Sequence, residues 1–286
     1  MQAQDVRRIG VVGCGLMGSG IAEVAARVGI DVVVLEPSDE LLAAGRGRIE
    51  TSTARAVERG RLSEADRDAV LGRIEGVTDV GAFADVDVAI EAATEEEQGK
   101  LAIFRSLDEV TRPEVILASN TSSIPIASLG AATSRADRVI GLHFFNPPPV
   151  MGLIEVTPSL LTSEDTIAFS RAFGERLGKT TVLAKDHAGF IVNRLLIPYI
   201  CGAIRLLDEG FATLDDIDAS ITLGLNHPMG PLRLADLIGL DTVLQIAEVL
   251  HKEFRDQAYA PPPRLLRMVA AGQLGRKSGK GFYDYG

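Results

Sequence analysis

A glycine-rich turn near the N-terminus constrains the fold of this 286-residue chain more than any other feature. Gly13-Cys14-Gly15-Leu16-Met17-Gly18 follows a short apolar run and precedes a stretch with helical spacing. In that context, a G-x-G-x-x-G pattern indicates a strand, a tight turn and a helix whose N-terminus binds a pyrophosphate. A glycine turn that binds no nucleotide is the alternative. The pattern predicts a dinucleotide site that includes Gly13, Gly15, Leu16, Met17 and Gly18.

The residue that ends the second predicted strand indicates which dinucleotide is bound. Glu36 lies about 20 residues beyond the glycine turn, where an acidic side chain accepts hydrogen bonds from a ribose 2′-hydroxyl. The same carboxylate would repel a 2′-phosphate. The sequence therefore predicts NAD rather than NADP.

The first part of the chain alternates short apolar runs with helical segments. The runs fall at residues 8–12, 32–35, 86–89, 115–118, 139–142, 153–156 and 180–183. Apolar runs with little alternation, separated by helices, are typical of a parallel sheet that is covered on both faces. We therefore predict an α/β fold, with a doubly wound Rossmann-type domain over residues 1–186.

After about residue 186 the apolar spacing becomes helical, and it predicts a smaller all-α domain over residues 187–286. The helical spacing runs over residues 190–208, 214–223, 232–254 and 263–271, and Gly210, Gly224 and Pro228 fall between these segments. The segments carry apolar residues on more than one face, as at Leu240 and Val243. This excess predicts a homodimer through the C-terminal domain.

The composition of the chain limits which partners it can bind and indicates the cellular compartment in which it is expected. A net charge of −10 argues against nucleic-acid binding, which needs a basic face. No apolar run approaches the ~20 residues of a membrane span. Neither a signal peptide nor a metal-ligand spacing is recognisable. Two cysteines, Cys14 and Cys201, form no disulfide framework, so a cytoplasmic location is expected.

A histidine and a carboxylate twelve residues apart suggest acid–base chemistry. His143 lies at the end of a predicted strand, among bulky apolar residues, and Glu155 lies in the next apolar run. A carboxylate that binds the second ring nitrogen would fix the tautomer of a histidine base. The alternative is a core histidine with Glu155 pointing to water. Ser122 and Asn193 are further polar candidates, although Ser122 could cap a turn and Asn193 could bind local backbone.

The helix predicted after Glu36 carries a basic stripe. Arg48, Ser52, Arg55 and Arg59 are spaced so that they share one helical face. Such a face suits a ligand that carries phosphate groups, since arginine binds phosphate in a bidentate manner. The alternative is a solvated face whose charge is balanced by neighbouring glutamates.

Several further segments occur in an order that is typical of a known family. They are Ser119-Asn120-Thr121-Ser122-Ser123, His143-Phe144-Phe145-Asn146-Pro147, Gly189-Phe190-Ile191-Val192-Asn193-Arg194, Asn226-His227-Pro228-Met229-Gly230-Pro231 and Gly279-Lys280-Gly281-Phe282-Tyr283. With the glycine turn, they make nearly the whole chain resemble the L-3-hydroxyacyl-CoA dehydrogenase family, above all its short bacterial members, the 3-hydroxybutyryl-CoA dehydrogenases.

The resemblance implies a role for each matching residue. His143 would be the catalytic base, Glu155 its orienting partner, and Ser122 and Asn193 would hold the reacting oxygen and the substrate carbonyl. Near the cofactor, the resemblance implies Glu95, Lys100, Ser122, Asn146 and Lys277. On the coenzyme A side it implies Ser52 and, where some relatives carry a lysine, Arg59; the basic stripe adds Arg55.

Three positions depart from the family pattern. Gly152 stands where a lysine is expected, Pro148 where valine is usual, and Ala188 where a proline precedes the glycine. The lost charge at Gly152 puts local anion contacts in doubt, but no departure affects the four residues expected to carry the chemistry.

The function expected from the sequence is reversible, NAD-dependent oxidation of an L-3-hydroxyacyl-CoA, with 3-hydroxybutyryl-CoA as the expected substrate. The resemblance implies a place in fatty acid and lipid metabolism. Two alternatives stay open at this point. One is a dehydrogenase of a free hydroxy acid or sugar acid on the same fold, and the other is a non-enzymatic NAD-binding protein.

Overall fold

A computed structural model describes all residues, 1–286, and divides them into two compact units, Met1–His187 and Ala188–Gly286. The division falls one residue beyond the boundary expected from the sequence. No helix in either unit is long and apolar enough to cross a membrane.

The first unit is a parallel-dominated sheet with helices on both faces, as the sequence predicts for a doubly wound domain. Its strands are β1 (Arg8–Val12), β2 (Asp31–Leu35), β3 (Ile74–Val77), β4 (Val88–Glu91), β5 (Ile116–Ser119), β6 (Val139–Phe144), β7 (Leu153–Pro158) and β8 (Thr180–Leu183). Its helices are α1 (Leu16–Arg27), α2 (Asp39–Glu58), α3 (Glu64–Gly72), α4 (Glu97–Val110), α5 (Ile126–Ala131) and α6 (Glu164–Arg176).

The eight strands are arranged in the order β3-β2-β1-β4-β5-β6-β7-β8. Alternate residues of β1 and β4 point into two separate apolar cores, so that Ile9 and Val88 pack with α1, while Val12 and Ala89 pack on the other face with α4. This arrangement explains the unalternating apolar runs, because both faces of a central strand are buried.

One feature of the sheet differs from the sequence prediction. β7 runs antiparallel to β6, and β8 runs parallel to β7, so the last two strands reverse the direction of the other six. A strand that is buried on both faces looks the same in sequence whichever way it runs. The predicted parallel arrangement is therefore confirmed for the first six strands, and the antiparallel pairing of β6 with β7 is a departure from it.

The second unit is all-helical, and it follows the predicted segments with one exception. Its helices are α7 (Val192–Asp208), α8 (Leu214–Gly224), α9 (Pro231–Ile238), α10 (Leu240–Phe254) and α11 (Pro263–Ala270). The sequence predicts one helix across residues 232–254, but Gly239 interrupts it with a φ of +102°, a conformation that favours glycine.

Two buried aspartates organise this helical unit. Asp218 on α8 accepts hydrogen bonds from the first amides of α9, those of Leu232 and Arg233. Asp236 on α9 accepts from the amides of Phe282 and Tyr283, which fastens the C-terminal segment to that helix. These bonds give the Gly279–Tyr283 motif a structural role, since buried carboxylates need such donors.

Candidate active site

The proposed base and its partner are directly paired across β6 and β7. His143 and Glu155 stand opposite each other in the antiparallel register, which places their side chains on the same face of the sheet. His143 Nδ1 lies 2.7 Å from Glu155 Oε2, and both side chains are buried. A carboxylate that accepts this hydrogen bond orients the imidazole and favours the tautomer with the proton on Nδ1. The Phe145 ring packs against the imidazole, with centroids 4.6 Å apart.

A loop of three prolines joins this histidine strand to the carboxylate strand. The Asn146-Pro147 peptide bond is cis, and Pro148 packs on α1 at Gly20, where a Cβ atom would come within 2.6 Å of the proline ring. Lys179 Nζ donates to the carbonyl oxygens of Pro148 and Met151, at 2.7 and 2.8 Å. A lysine thus contacts this loop from a distant position, although Gly152 replaces the lysine expected within it.

Ser122 lies in the loop that follows β5, the neighbour of β6 in the sheet. Its amide donates to Glu95 Oε1 at 2.9 Å, and its hydroxyl lies 3.4 Å from the same oxygen. Asn120 was not predicted as a site residue from the sequence. Its side-chain oxygen accepts from the amide of Phe144 at 2.9 Å, which fastens the Ser122 loop to the strand that carries His143.

Glu95 and Lys100 form an ionic cluster with Glu91, in which Glu91 and Lys100 are buried and Glu95 is partly exposed. Lys100 Nζ contacts Glu91 Oε1 at 2.6 Å and Glu95 Oε2 at 3.2 Å. Burial acts to raise the pKa of Glu95, but the Lys100 ammonium and hydrogen bonds from Thr121 and Ser122 lower it below its usual value. Glu95 is therefore ionised at neutral pH and holds the loop as an acceptor.

The glycine turn has the geometry that a bound pyrophosphate requires. Gly13 has a φ of +92°, and a Cβ atom at Gly18 would lie 1.9 Å from the Gly13 carbonyl oxygen, so both positions need glycine. Nothing lies within 4 Å of the Cβ position at Gly15, which begins α1 without a side-chain cap. Glu36 accepts a hydrogen bond from the amide of Cys14 and stands beside the same turn. Open space at an uncapped helix N-terminus fits a dinucleotide.

The basic stripe borders a groove of about 590 Å³ on the outside of this unit. Arg48, Ser52, Arg55 and Arg59 all line it, together with Arg27 and Arg61, which the sequence reasoning missed. Residues 147–150 of the proline loop that follows His143 also line it. The groove lined by the basic stripe therefore extends to the proline loop that follows His143.

Two of the expected residues belong to the helical unit. Asn193 is buried in the first turn of α7, and Lys277 lies near the C-terminus, where its ammonium is paired with Asp241. The structure places the other expected residues, including Ser122, His143, Glu155 and Asn146, in the first unit.

Comparisons with known proteins match this architecture over both units. The profile of the 3-hydroxyacyl-CoA dehydrogenase NAD binding domain matches residues 8–187, and that of the 3-hydroxyacyl-CoA dehydrogenase C-terminal domain matches residues 189–285. The chain belongs to the 3-hydroxyacyl-CoA dehydrogenase family. As a member of it, the chain is an NAD-dependent dehydrogenase, so the recognition, fold class and cofactor predicted from the sequence are confirmed.

Individual relatives agree over nearly the full length. A 3-hydroxybutyryl-CoA dehydrogenase of Mycobacterium tuberculosis is 52% identical over 282 residues, which cover 98% of this chain and 99% of the relative. The crystal structure of FadB2 from M. tuberculosis has a TM-score of 0.96 at 52% identity, with 98% and 99% of the two chains covered. That of (S)-3-hydroxybutyryl-CoA dehydrogenase from Ralstonia eutropha has a TM-score of 0.93 at 47% identity, with the same coverage.

Proposed function

We propose that this chain oxidises L-3-hydroxybutyryl-CoA to acetoacetyl-CoA, reversibly and with NAD, using His143 as general base and Glu155 as its orienting partner. The buried contact of 2.7 Å between His143 Nδ1 and Glu155 Oε2 is the observation that carries the proposal. The relatives named as 3-hydroxybutyryl-CoA dehydrogenases, at 46–52% identity over nearly the full length, support the substrate.

The protein's part in the reaction is to position the substrate and to move one proton. His143 Nε2 accepts the proton of the substrate hydroxyl, and Glu155 stabilises the imidazolium that forms. When bound, NAD would supply the redox chemistry as acceptor of the hydride from the carbon that bears this hydroxyl. In the reverse direction, the imidazolium returns the proton to the ketone oxygen. Ser122 and Asn193 are proposed to donate hydrogen bonds to the reacting oxygen and the acyl carbonyl.

The cofactor is proposed to lie along the C-terminal ends of the first strands. Its pyrophosphate would occupy the open space at Gly15, and its ribose would bind Glu36. Glu95, Lys100, Asn146 and Lys277 would serve the nicotinamide half. The position of Glu36 beside the glycine turn supports a preference for NAD, because a 2′-phosphate would meet its carboxylate.

Two further assignments are proposals of the same kind. We propose a homodimer through the helical unit, whose surface exposes large apolar side chains at Leu195, Phe211 and Leu223. Leu240 and Val243, which the sequence argument for a dimer used, are instead buried in that unit's own core. A cytoplasmic location is supported by two cysteines that remain free thiols.

The function is tested by NADH oxidation with acetoacetyl-CoA. We expect turnover with NADH, a much lower kcat/KM with NADPH because of Glu36, and a loss of at least ~100-fold in kcat in His143→Gln, the scale of a missing general base. His143→Gln should still bind NADH, which separates a catalytic defect from misfolding. Near-normal activity of this variant, or activity only with the free hydroxy acid, would contradict the proposal.

The arginines that line the groove are expected to affect the affinity for the CoA substrate and not the rate of turnover. Replacing both Arg55 and Arg59 with Ala removes two cations from the groove, so we expect the KM for acetoacetyl-CoA to rise several-fold, with kcat little changed. Arg46→Ala is the matched control, because Arg46 lies on the same helix and is paired with Glu50 instead. An unchanged KM in the double variant would remove both arginines from the substrate site.

The dimer is tested by light scattering at micromolar concentration. We expect twice the chain mass for the wild type, and a shift toward the monomer when Phe211 and Leu223 are both replaced with Ser, because the substitutions remove apolar contact area. A monomeric wild type would refute the assembly and leave the rest of the proposed function intact.

A further inference from the structure

A fully buried carboxylate behind the candidate site has no role in the proposed reaction. Glu91 is the last residue of β4, at the end of the sheet where the Ser122 loop lies, and it has no exposed surface. A buried charge is costly unless it is paired and hydrogen-bonded, so its presence needs a physical reason. Its partners supply that reason.

Each oxygen of Glu91 is bound to a group that leads to the site. Oε1 contacts Lys100 Nζ at 2.6 Å and accepts from the amide of Ala93 at 2.7 Å. Oε2 accepts from the Ser119 hydroxyl at 2.6 Å. Ser119 in turn accepts from the amide of Thr121 at 3.1 Å, one residue before Ser122. Glu91 therefore supports the Ser122 loop from below.

The second path from Glu91 runs through the lysine. Lys100 is 1% exposed and bridges Glu91 to Glu95, which accepts hydrogen bonds from Thr121, Ser122 and Ser123. Without Glu91, the ammonium would be left with Glu95 as its single carboxylate partner and would compete with the loop for that carboxylate. The lysine and the loop can share Glu95 because Glu91 binds the lysine from the other side.

The cluster also has an excess charge. One ammonium and two carboxylates leave a net charge of −1 among the side chains of Glu91, Lys100 and Glu95, of which only Glu95 is partly exposed. An oxidised nicotinamide ring carries a positive charge, whereas the reduced ring is neutral. A negative cluster beside the ring would therefore favour the oxidised form of the cofactor.

We propose that Glu91 is a positioning residue that holds Lys100, Glu95 and the Ser122 loop in place and gives the site a negative charge that favours NAD⁺ over NADH. The proposal rests on the proposed function, in which Glu95 and Lys100 serve the nicotinamide half of the cofactor and Ser122 donates a hydrogen bond to the substrate.

The test measures binding of the two cofactor forms to the full-length protein without substrate. NADH binding is followed by its fluorescence, and NAD⁺ binding is measured by its competition with NADH. In Glu91→Gln, we expect the Kd for NAD⁺ to rise at least ~3-fold more than the Kd for NADH, because one unit charge is lost in a partly screened site. Glu91→Asp keeps the charge, so its Kd ratio should stay near that of the wild type while its kcat falls through a displaced Ser122 loop.

The matched control is Asp108→Asn. Asp108 lies on α4, the helix that carries Lys100, and forms an ion pair with the buried Arg135 at 2.7 Å, away from the Ser122 loop. Its loss should destabilise the fold without changing the ratio of the two dissociation constants. Equal weakening of NAD⁺ and NADH in Glu91→Gln, or no change in either, would overturn the proposal.

If Glu91→Gln does not fold, a second comparison tests the same charge. Lys100→Gln is compared with the double variant Glu91→Gln/Lys100→Gln, and the same shift in the Kd ratio is expected between them. Identical ratios would refute the proposal. Absence of NADH oxidation by the wild type would instead refute the proposed function, and the two failures are therefore distinguishable.

Discussion

The hydrogen bond between His143 Nδ1 and Glu155 Oε2 is the interaction on which the proposed site depends. It forms because β7 reverses direction and pairs with β6, which brings residues twelve apart in sequence directly opposite each other. A parallel neighbour would reach this position only after a long crossover. The proline loop closes the hairpin between the two strands, and Lys179 donates hydrogen bonds to two of its carbonyl oxygens.

The other half of the site is built around an ionic cluster between the end of β4 and the first turns of α4. Ser119, the last residue of β5, donates to the Glu91 carboxylate, and Thr121 and Ser122 in the loop after β5 donate to the Glu95 carboxylate. Asn120 then joins this loop to β6. The geometry of Ser122 thus depends on groups that need not touch the substrate.

Much of the fold was predictable because its signals are local. The glycine turn, the buried strands and the helical second unit each follow from spacing and composition. β3 was missed because it is short and only half-buried, and it contains Glu75 and Gly76, so it carries no apolar run. The break at Gly239 was missed because the apolar spacing continues on both sides of it, and a single glycine in a helical pattern does not by itself end a helix.

The candidate site was predictable where a side chain belongs to a motif, as with His143 and Ser122. It was not predictable where the role is defined by partners that are distant in sequence. Glu91 accepts a hydrogen bond from Ser119, 28 residues away, and Asn120 accepts one from Phe144, 24 residues away. Neither separation corresponds to a sequence motif. The direction of β7 was not predictable for a similar reason. It is defined by the pairing of β7 with β6 and leaves no pattern in the sequence of β7 itself.

The protonation of the His143 ring tests the central pairing most directly. Nitrogen-15 NMR of the ring distinguishes the two tautomers, and the chain has only four histidines, so the His143→Gln variant identifies the signal. Where the ring is neutral, we predict a protonated Nδ1 and an unprotonated Nε2, with this preference lost in Glu155→Gln. A protonated Nε2 in the wild type would contradict the account, because that nitrogen could not then accept the substrate proton.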